Sequence, residues 1–599
     1  MRRERAPRLL VIGGASLDVL HFRGSTVRSA GGAGLYTALA ASRAGARVTM
    51  FAPRPEPMPE PLRLAAERIE WIGPVVPPGE LPSFEIAHHG RGHTEMLRAL
   101  PGAEPRLHPD DLPEDALDAD WACCIPLMDL RRQHAFATRL KQRGLRVACS
   151  TYHAAARSDR ALVLEILAAA DAFFCNEKEA EALFSGPQRV AARPGRLLFV
   201  TRGERGVLVA QGSHLTEVAG VAVEELDPTG AGDAFCGTAL ALLARGLHPV
   251  EAARVAVAAA AEVVTAPGPE ALLRPPPPPT PPDDQRVRVD PVRVERVARL
   301  VASQSEVAEF DFVGPQFPAL GDPHAIDFFF AATLQQFGFW TEAAGRYSAP
   351  MIATLDGRSL KGSDYLWAAY RRWMETDPAG LAPAAQERLE ADEFRARLRS
   401  DDGRDPMPAL ELHLELARAY GRDMIAMGWT AAGIVEAANA AVSPLLDFLR
   451  RLDHVGGYKE DPLRKKSALL ATILQQRPER FLRRDEHEVA PPIVDYHVQR
   501  SCLRTGLVVV EDAALRTRLI ARQALAAADE RAVRDACAAA VQELQRRSGR
   551  SMGAVDYLLF TARERCPEMT EPECARCSLD PACAHDKALF QPVLRTRFY

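Results

Sequence analysis

Residues 226–246 read LDPTGAGDAFCGTALALLARG. Gly230 and Gly232 permit a tight backbone turn directly before a helix-forming run, so several N–H groups and a helix N-terminus can point at one anion. Asp233 sits at that same spot. A carboxylate beside an anion hole is poorly placed to bind phosphate. It is well placed to take the proton from an alcohol as a phosphoryl group arrives, which makes Asp233 a candidate general base. The same GAGD also suits a plain Gly-rich strand-to-helix turn capped by its aspartate.

Upstream of this turn the chain alternates short β-like runs with helical ones, from RLLVIGGAS and GLYTALAASRAG through ARVTMFA, WACCIPL and RVACSTY to RLLFVTRGERGVLVA. Apolar strands each followed by an amphipathic helix predict an α/β domain with a parallel sheet covered on both faces. Its end is marked by RPPPPPTPPDDQ, residues 274–285. Consecutive prolines join neither a helix nor a central strand and settle into a semi-rigid polyproline II spacer. Residues 1–273 and 286–599 are therefore expected to be separate domains. The second half carries long segments with apolar residues at 3–4 spacing, such as PALELHLELARAYGRDMIAMG and AALRTRLIARQALAAADERAVRDACAAAVQEL. It reads as all-α, with little strand pattern and no internal repeat.

The 599 residues exceed one ordinary core. Hydrophobic residues make up 47% and charged ones 26%, an ordinary globular balance that argues against large-scale disorder. The longest apolar runs fall short of the roughly 20 residues a membrane span needs, and the N-terminus shows no signal-peptide cleavage pattern. A cytoplasmic protein without membrane partners is expected. The 74 basic and 79 acidic side chains give a net charge of only −5 with no like-charge block, which gives no support to a dedicated nucleic-acid binder. Seven of the eleven cysteines stand among apolar neighbours and suit reduced core thiols.

Residues 8–273 resemble the ribokinase-like (PfkB) sugar and nucleoside kinases, with the motifs in the family's order. The resemblance implies that Asp18 in GGASLD contacts substrate hydroxyls and that Gly31, Gly32 and Gly34 in AGGAGLYTALAASRAG let the backbone approach the sugar. It implies that Asn176 and Glu179 in CNEKEAE serve Mg²⁺ and phosphate, and that VTRGERGV, with Thr201 and Gly203, lines the nucleotide side. Gly230, Ala231 and Gly232 would form the anion hole, Asp233 would be the base and ATP with Mg²⁺ the donor. Two departures bear on the substrate: Tyr36 stands where the family commonly has Asn, and the region after Phe51 is shorter and Pro-rich. An aromatic there either fills core volume or accommodates a flat base.

Near the other end, CPEMTEPECARCSLDPAC spaces Cys566, Cys574, Cys577 and Cys583 as C-x7-C-x2-C-x5-C. Thiols this close in a cytosolic chain favour metal ligation over disulfides. One C-x2-C flanked by longer arms suits a [4Fe–4S] cluster better than Zn²⁺, which usually takes two separated C-x2-C-like knuckles. The arrangement resembles the iron–sulfur loop of helix-hairpin-helix DNA glycosylases, and PPIVDYHVQRSCLRTGLV resembles their segment in which an Asp heads a helix. The resemblance puts Asp495 at the catalytic position, where it would stabilise charge growing on the sugar C1′; the plain alternative is a helix cap. In place of the expected Gly-rich hairpin stands EDPLRKKSALLATILQQRPERF, in which Lys466 reads as a solvated helix-start residue and not a Schiff-base nucleophile.

From Phe317 onward the chain also resembles the queuosine-salvage proteins, 5′-phosphate N-glycosylases on a DNA-glycosylase-like helical fold. The pieces HAIDFFFAATLQQFGFW, GSDYLWAAYRRWME, EFRARLRSD, RKKSALLATIL, VDYHVQR and RTRFY occur in order. By this resemblance Asp327, Trp340, Tyr496 and Asp495 would surround base and ribose; Phe328 to Phe330 read equally as helix core. A kinase that phosphorylates a nucleoside 5′-hydroxyl makes what such a glycosylase consumes, so the expectation is bifunctional salvage, queuosine to queuine being the best specific reading. The rivals are a sugar kinase with a structural C-terminal domain, a DNA-repair glycosylase fused to a kinase, and a degenerate kinase scaffold. A small-molecule nucleoside or sugar is the expected partner, and no oligomeric state is specified.

Overall fold

The computed structural model describes residues 6–22, 24–90, 93–184, 190–275 and 284–599. Most of the proline-rich spacer, residues 276–283, lies outside them. The chain forms two compact units, Met1–Pro278 and Pro279–Tyr599.

The first unit is an α/β domain built on a nine-stranded sheet, as the alternation of strand and helix patterns predicts. From one edge its strands are Glu70–Ile72, Arg47–Phe51, Arg8–Ile12, Trp121–Cys124, Val147–Ser150, Ala172–Asn176 and Leu197–Thr201, all parallel, followed by antiparallel Val207–Gln211 and His214–Val218. Successive side chains point to opposite faces: Leu9 and Val11 enter one core, Leu10 and Ile12 the other. Two buried faces explain why these strands read as continuous apolar runs. A second sheet of four strands, ordered Ser25–Gly31, Ser16–Phe22, Ser83–Gly90 and His93–Leu100, stands apart from the first. Helices Ala33–Arg43 and Ala231–Ala244 share the first core, burying Leu35, Tyr36 and Leu39 from one and Phe235, Cys236 and Leu240 from the other. These two helices start at the ends of the parallel strands where an open α/β sheet binds its ligands.

The second unit is helical, and its apolar spacing translates directly into burial. In Ala527–Ser548, residues Val533, Ala536, Cys537, Ala540, Val541 and Leu544 all face the core, and Gly549 ends the helix at φ 69°. Phe328, Phe329 and Phe330 are fully buried in the neighbouring core. The strand content departs from the sequence reading. Val287–Val289 pairs antiparallel with Val508–Val510, and two hairpins join Trp340–Ala343 to Arg346–Pro350 and Ile352–Leu355 to Arg358–Lys361. Both hairpins turn through two residues at positive φ, Ala344-Gly345 (51°, 69°) and Asp356-Gly357 (51°, 71°). These are the left-handed values a two-residue hairpin turn demands.

The two large cores of this unit are tied by a buried ion pair. Arg534 donates through both Nη atoms to Asp461 at 2.8 and 2.7 Å, with the side chains 0% and 1% exposed. Asp461 also accepts from the backbone N–H groups of Leu463 and Lys465, which draws the start of helix Lys465–Gln476 towards helix Ala527–Ser548.

Candidate functional site

In the first unit the strand ends open into a cavity of about 420 Å³. Asp233, third residue of helix Ala231–Ala244, lies on its wall with Gly230 and Gly232. Gly230 takes φ 77°, and a Cβ there would stand 2.3 Å from the ring of Tyr36. No other residue type satisfies both the left-handed backbone and the close approach. Burial alone lifts the Asp233 carboxyl to about 7, a value suited to a base working near neutrality.

Opposite, Asp18 is 4% exposed and accepts from the Phe84 N–H at 3.1 Å. Burial raises it to about 6 against the lowering effect of Ser16 and of that N–H, with Asp227 adding repulsion. Gly31 backs it: a Cβ there would lie 1.8 Å from Asp18 Oδ2. The Tyr36 phenol is pushed well up by burial and then by Asp227, Asp18 and Asp233, so it is a hydrogen-bond donor set among three carboxyls. Asn176 and Glu179 close on each other as a reciprocal cap. Asn176 N and Nδ2 donate to Glu179 Oε2 (2.8 Å) and Oε1 (2.6 Å), and Glu179 N donates to Asn176 Oδ1 (3.0 Å). Burial takes Glu179 to about 7, opposed by Asn176 and assisted by Asp233.

The structure thus brings Asp18, Gly32, Tyr36, Asn176, Glu179, Thr201, Gly230, Gly232 and Asp233 to one cavity. The lining does not include Gly31, Ala231 or Gly203. It does include Glu104, which no motif in the sequence singles out; its Oε1 accepts from Met128 N at 2.6 Å and burial raises its carboxyl. Asp227 is a second residue that the sequence reading misses, although it stands inside the decisive stretch. It accepts from Thr229 N (2.9 Å) and Gly268 N (2.8 Å) and so braces the loop that carries the glycines.

The second unit has its own cavity of about 290 Å³, lined by aromatics including Phe310, Phe317, Trp367, Tyr557 and Phe560 and by Asp495, Tyr496, Lys465 and Asp556. Asp495 caps helix Tyr496–Thr505, its Oδ1 accepting from Val498 N at 2.8 Å, and it is 8% exposed. The cap and the cavity position hold together, so the two readings of this residue are not exclusive. Three expectations from the sequence need correction. Asp327 does not line this cavity; it lies on helix Ala325–Thr333, where burial raises its carboxyl. Trp340 does not line it either, because its ring is stacked on Tyr347 and covered by Arg595 at 4.1 Å. Lys466 is not solvated. It is 1% exposed, donates to the Leu334 carbonyl at 2.9 Å, and burial brings its ammonium down to about 7.

Cys566, Cys574, Cys577 and Cys583 converge on a third, small cavity of about 40 Å³. Arg504 donates to Cys566 Sγ at 3.2 Å, and His585 N to Cys583 Sγ at 3.3 Å. Burial is the largest influence raising the thiols of Cys577 and Cys583, and the neighbouring cysteines add to it. Four converging sulfurs with cationic and N–H donors fit a thiolate-bound metal centre, and Cys574, Asp580 and His585 offer a mixed set whose ligand atoms lie within 4.8 Å of one another. Among the described residues no helix is long and apolar enough to cross a membrane.

The family model for pfkB family carbohydrate kinases matches residues 134–274. A cytidine kinase of Thermococcus kodakarensis is 32% identical over 268 residues, 43% of this chain and 95% of that protein. A fructokinase of Vibrio alginolyticus is 36% identical over 101 residues, 15% of this chain and 33% of that protein. The nucleoside kinase of Burkholderia thailandensis, solved with inosine, is 18% identical, with 44% of this chain and 92% of that chain covered and a TM-score of 0.38.

Proposed function

We infer, from the premise that the chain belongs through its first unit to the pfkB family of carbohydrate kinases, that this unit transfers the γ-phosphoryl group of ATP to the 5′-hydroxyl of a nucleoside. The observation that carries the reading is the Asp233 carboxyl, poised at about 7 in the first turn of a helix whose N-terminus faces the same cavity as Asp18 and Tyr36. Asp233 takes the hydroxyl proton as the phosphoryl group arrives, and the Gly230–Gly232 turn holds the developing anion. Asn176 and Glu179 fit a role beside Mg²⁺, which supplies charge neutralisation on the phosphates when bound. The cytidine kinase relative and the aromatic Tyr36 favour a nucleoside over a free sugar.

The second unit, in this reading, hydrolyses the N-glycosidic bond of the nucleoside 5′-phosphate, releasing free base and ribose 5-phosphate. Support comes from Asp495, set at a helix N-terminus on the wall of an aromatic cavity sized for a base and a ribose. Queuosine to queuine is the specific conversion proposed. Cys566, Cys574, Cys577 and Cys583 would hold a [4Fe–4S] cluster with a structural role.

The test is to incubate the full chain with ATP and Mg²⁺ and a panel containing queuosine, cytidine, adenosine, guanosine, ribose and fructose, following products by mass spectrometry. A 5′-phosphate and then a free base from queuosine is the expected result. Phosphorylation of sugars alone, with no base released from any nucleoside, would overturn the proposal for the second unit.

A further inference from the structure

The cavity of the second unit contains a carboxyl that no structural need explains. Asp556 is the fifth residue of helix Met552–Thr561, past the first turn, and so caps nothing. It stands between apolar turns of the helix, beside Tyr557, Phe560 and Thr561, all of which line the same cavity. Its Oδ1 is sealed from solvent and has no hydrogen-bond partner. An atom so placed costs stability if it serves nothing. Asp495, on the same cavity, is provided for: it receives the Val498 N–H at the positive end of its helix. Lys465 lines the cavity with the two carboxyls and is itself anchored, its Nζ donating to the Gln336 carbonyl at 2.8 Å.

We propose that Asp556 is the acid of this site, the group that hands a proton to the departing nucleobase while Asp495 serves the C1′ side. The inference rests on the glycosidase reading of the second unit. Two carboxyls in unlike surroundings on one cavity are the arrangement that glycoside hydrolysis uses to separate acid from base. Burial, and then repulsion from Asp495, keep the Asp556 proton in place, with Lys465 opposing. In the step itself the C1′–N bond breaks and its electron pair goes to the base nitrogen, which takes the Asp556 proton. Water forms the new C1′–O bond and gives its proton to Asp495. Return of one proton from Asp495 to Asp556 through solvent resets the pair, and the net reaction consumes one water with no oxidant or reductant. A nucleobase is a poor leaving group unless protonated, which is why a second carboxyl is required where Asp495 alone would suffice for charge stabilisation.

The experiment compares the full-length wild type, Asp556→Asn and Asp495→Asn on two substrates: queuosine 5′-phosphate, and the 4-nitrophenyl β-riboside 5-phosphate, whose leaving group departs without a proton. Asp556→Asn keeps the shape and neutrality of the protonated acid. It is expected to slow base release about 10²–10⁴-fold while changing nitrophenolate release by no more than about threefold, so the second substrate also certifies its fold. Asp495→Asn is expected to slow both. Equal slowing of the two substrates by Asp556→Asn, or no slowing of base release, overturns the assignment of Asp556 and leaves the glycosidase reading standing. Release of neither product by the wild type removes the glycosidase reading itself, and the Asp556 assignment with it.

Discussion

At Asp233 one physical cause, removal of a carboxyl from water, sets both a rate and a stability. With its value at about 7, the group is protonated and unable to accept a proton in mild acid. kcat/KM for phosphorylation is therefore expected to rise with pH through about 7 and then level off. Asp233→Asn should lower the phosphorylation rate by about 10²–10⁴-fold, the usual worth of a general base, with nucleoside and ATP still bound. The stability consequence has the opposite pH sense. A carboxyl whose folded-state value is raised binds its proton more tightly in the native state, so its contribution is lost as pH rises from the ordinary carboxylate value through about 7. Asp233→Asn should thus melt above the wild type at pH 8, and the difference should shrink as pH falls below 7. Calorimetry of the first unit's transition across that range checks the sign, and a variant that melts lower than wild type at pH 8 would contradict it.

Among the elements, helices Lys465–Gln476 and Ala527–Ser548 are joined by a buried charge pair as well as by apolar packing. Removing one member of a buried pair strands the other, at a cost of about 3–5 kcal/mol. Asp461→Asn should destabilise the second unit by that amount in urea unfolding, since Arg534 would remain buried at 0% exposure without the carboxylate that accepts from both its Nη atoms, and with only Glu530 left near it. Adding Arg534→Met should recover only part of the loss, because Asp461 also serves the Leu463 and Lys465 N–H groups. Neither the pair nor the burial of Lys466 is legible in the sequence: helical periodicity sorts apolar from polar residues and is blind to a polar residue whose partner comes from a distant segment. The parallel strands are legible because burial on both faces leaves unbroken apolar runs, and the Gly230 turn because only glycine fits it. The hairpin at Asp356-Gly357 carries its signal in plain view, a two-residue Asp-Gly turn between the short paired runs IATL and RSLK. Asp327 falls outside the cavity that sequence reasoning assigns it for a related cause. A helix that is apolar on nearly every side, as in AIDFFFAAT, does not disclose which way its one acid faces.

For the whole molecule, the crowded thiols and Asp495 belong to one mechanical line. Helix Tyr496–Thr505 has Asp495 as its cap at one end and Arg504 in its last turn at the other. Arg504 donates to Cys566 Sγ (3.2 Å), to the Pro567 carbonyl (3.0 Å) and to the Leu589 carbonyl (2.8 Å), so the helix that presents Asp495 is stitched to the cysteine loop and to the segment beyond it. A centre bound by the four thiols would hold that loop closed, and its loss would free the far end of the helix. Cys577→Ser is therefore expected to abolish bound iron and sulfide, to lower the melting transition of the second unit by several degrees, and to reduce base release. Phosphorylation should be unchanged, because every residue lining the kinase cavity lies in the first unit, which has cores of its own. The purified wild type should contain iron and acid-labile sulfide in equal amounts. Zinc without sulfide would replace the cluster by a mixed or four-sulfur zinc site and leave the Arg504 contacts as they are, whereas a Cys577→Ser protein with wild-type melting and wild-type base release would sever the thiols from the Asp495 cavity altogether.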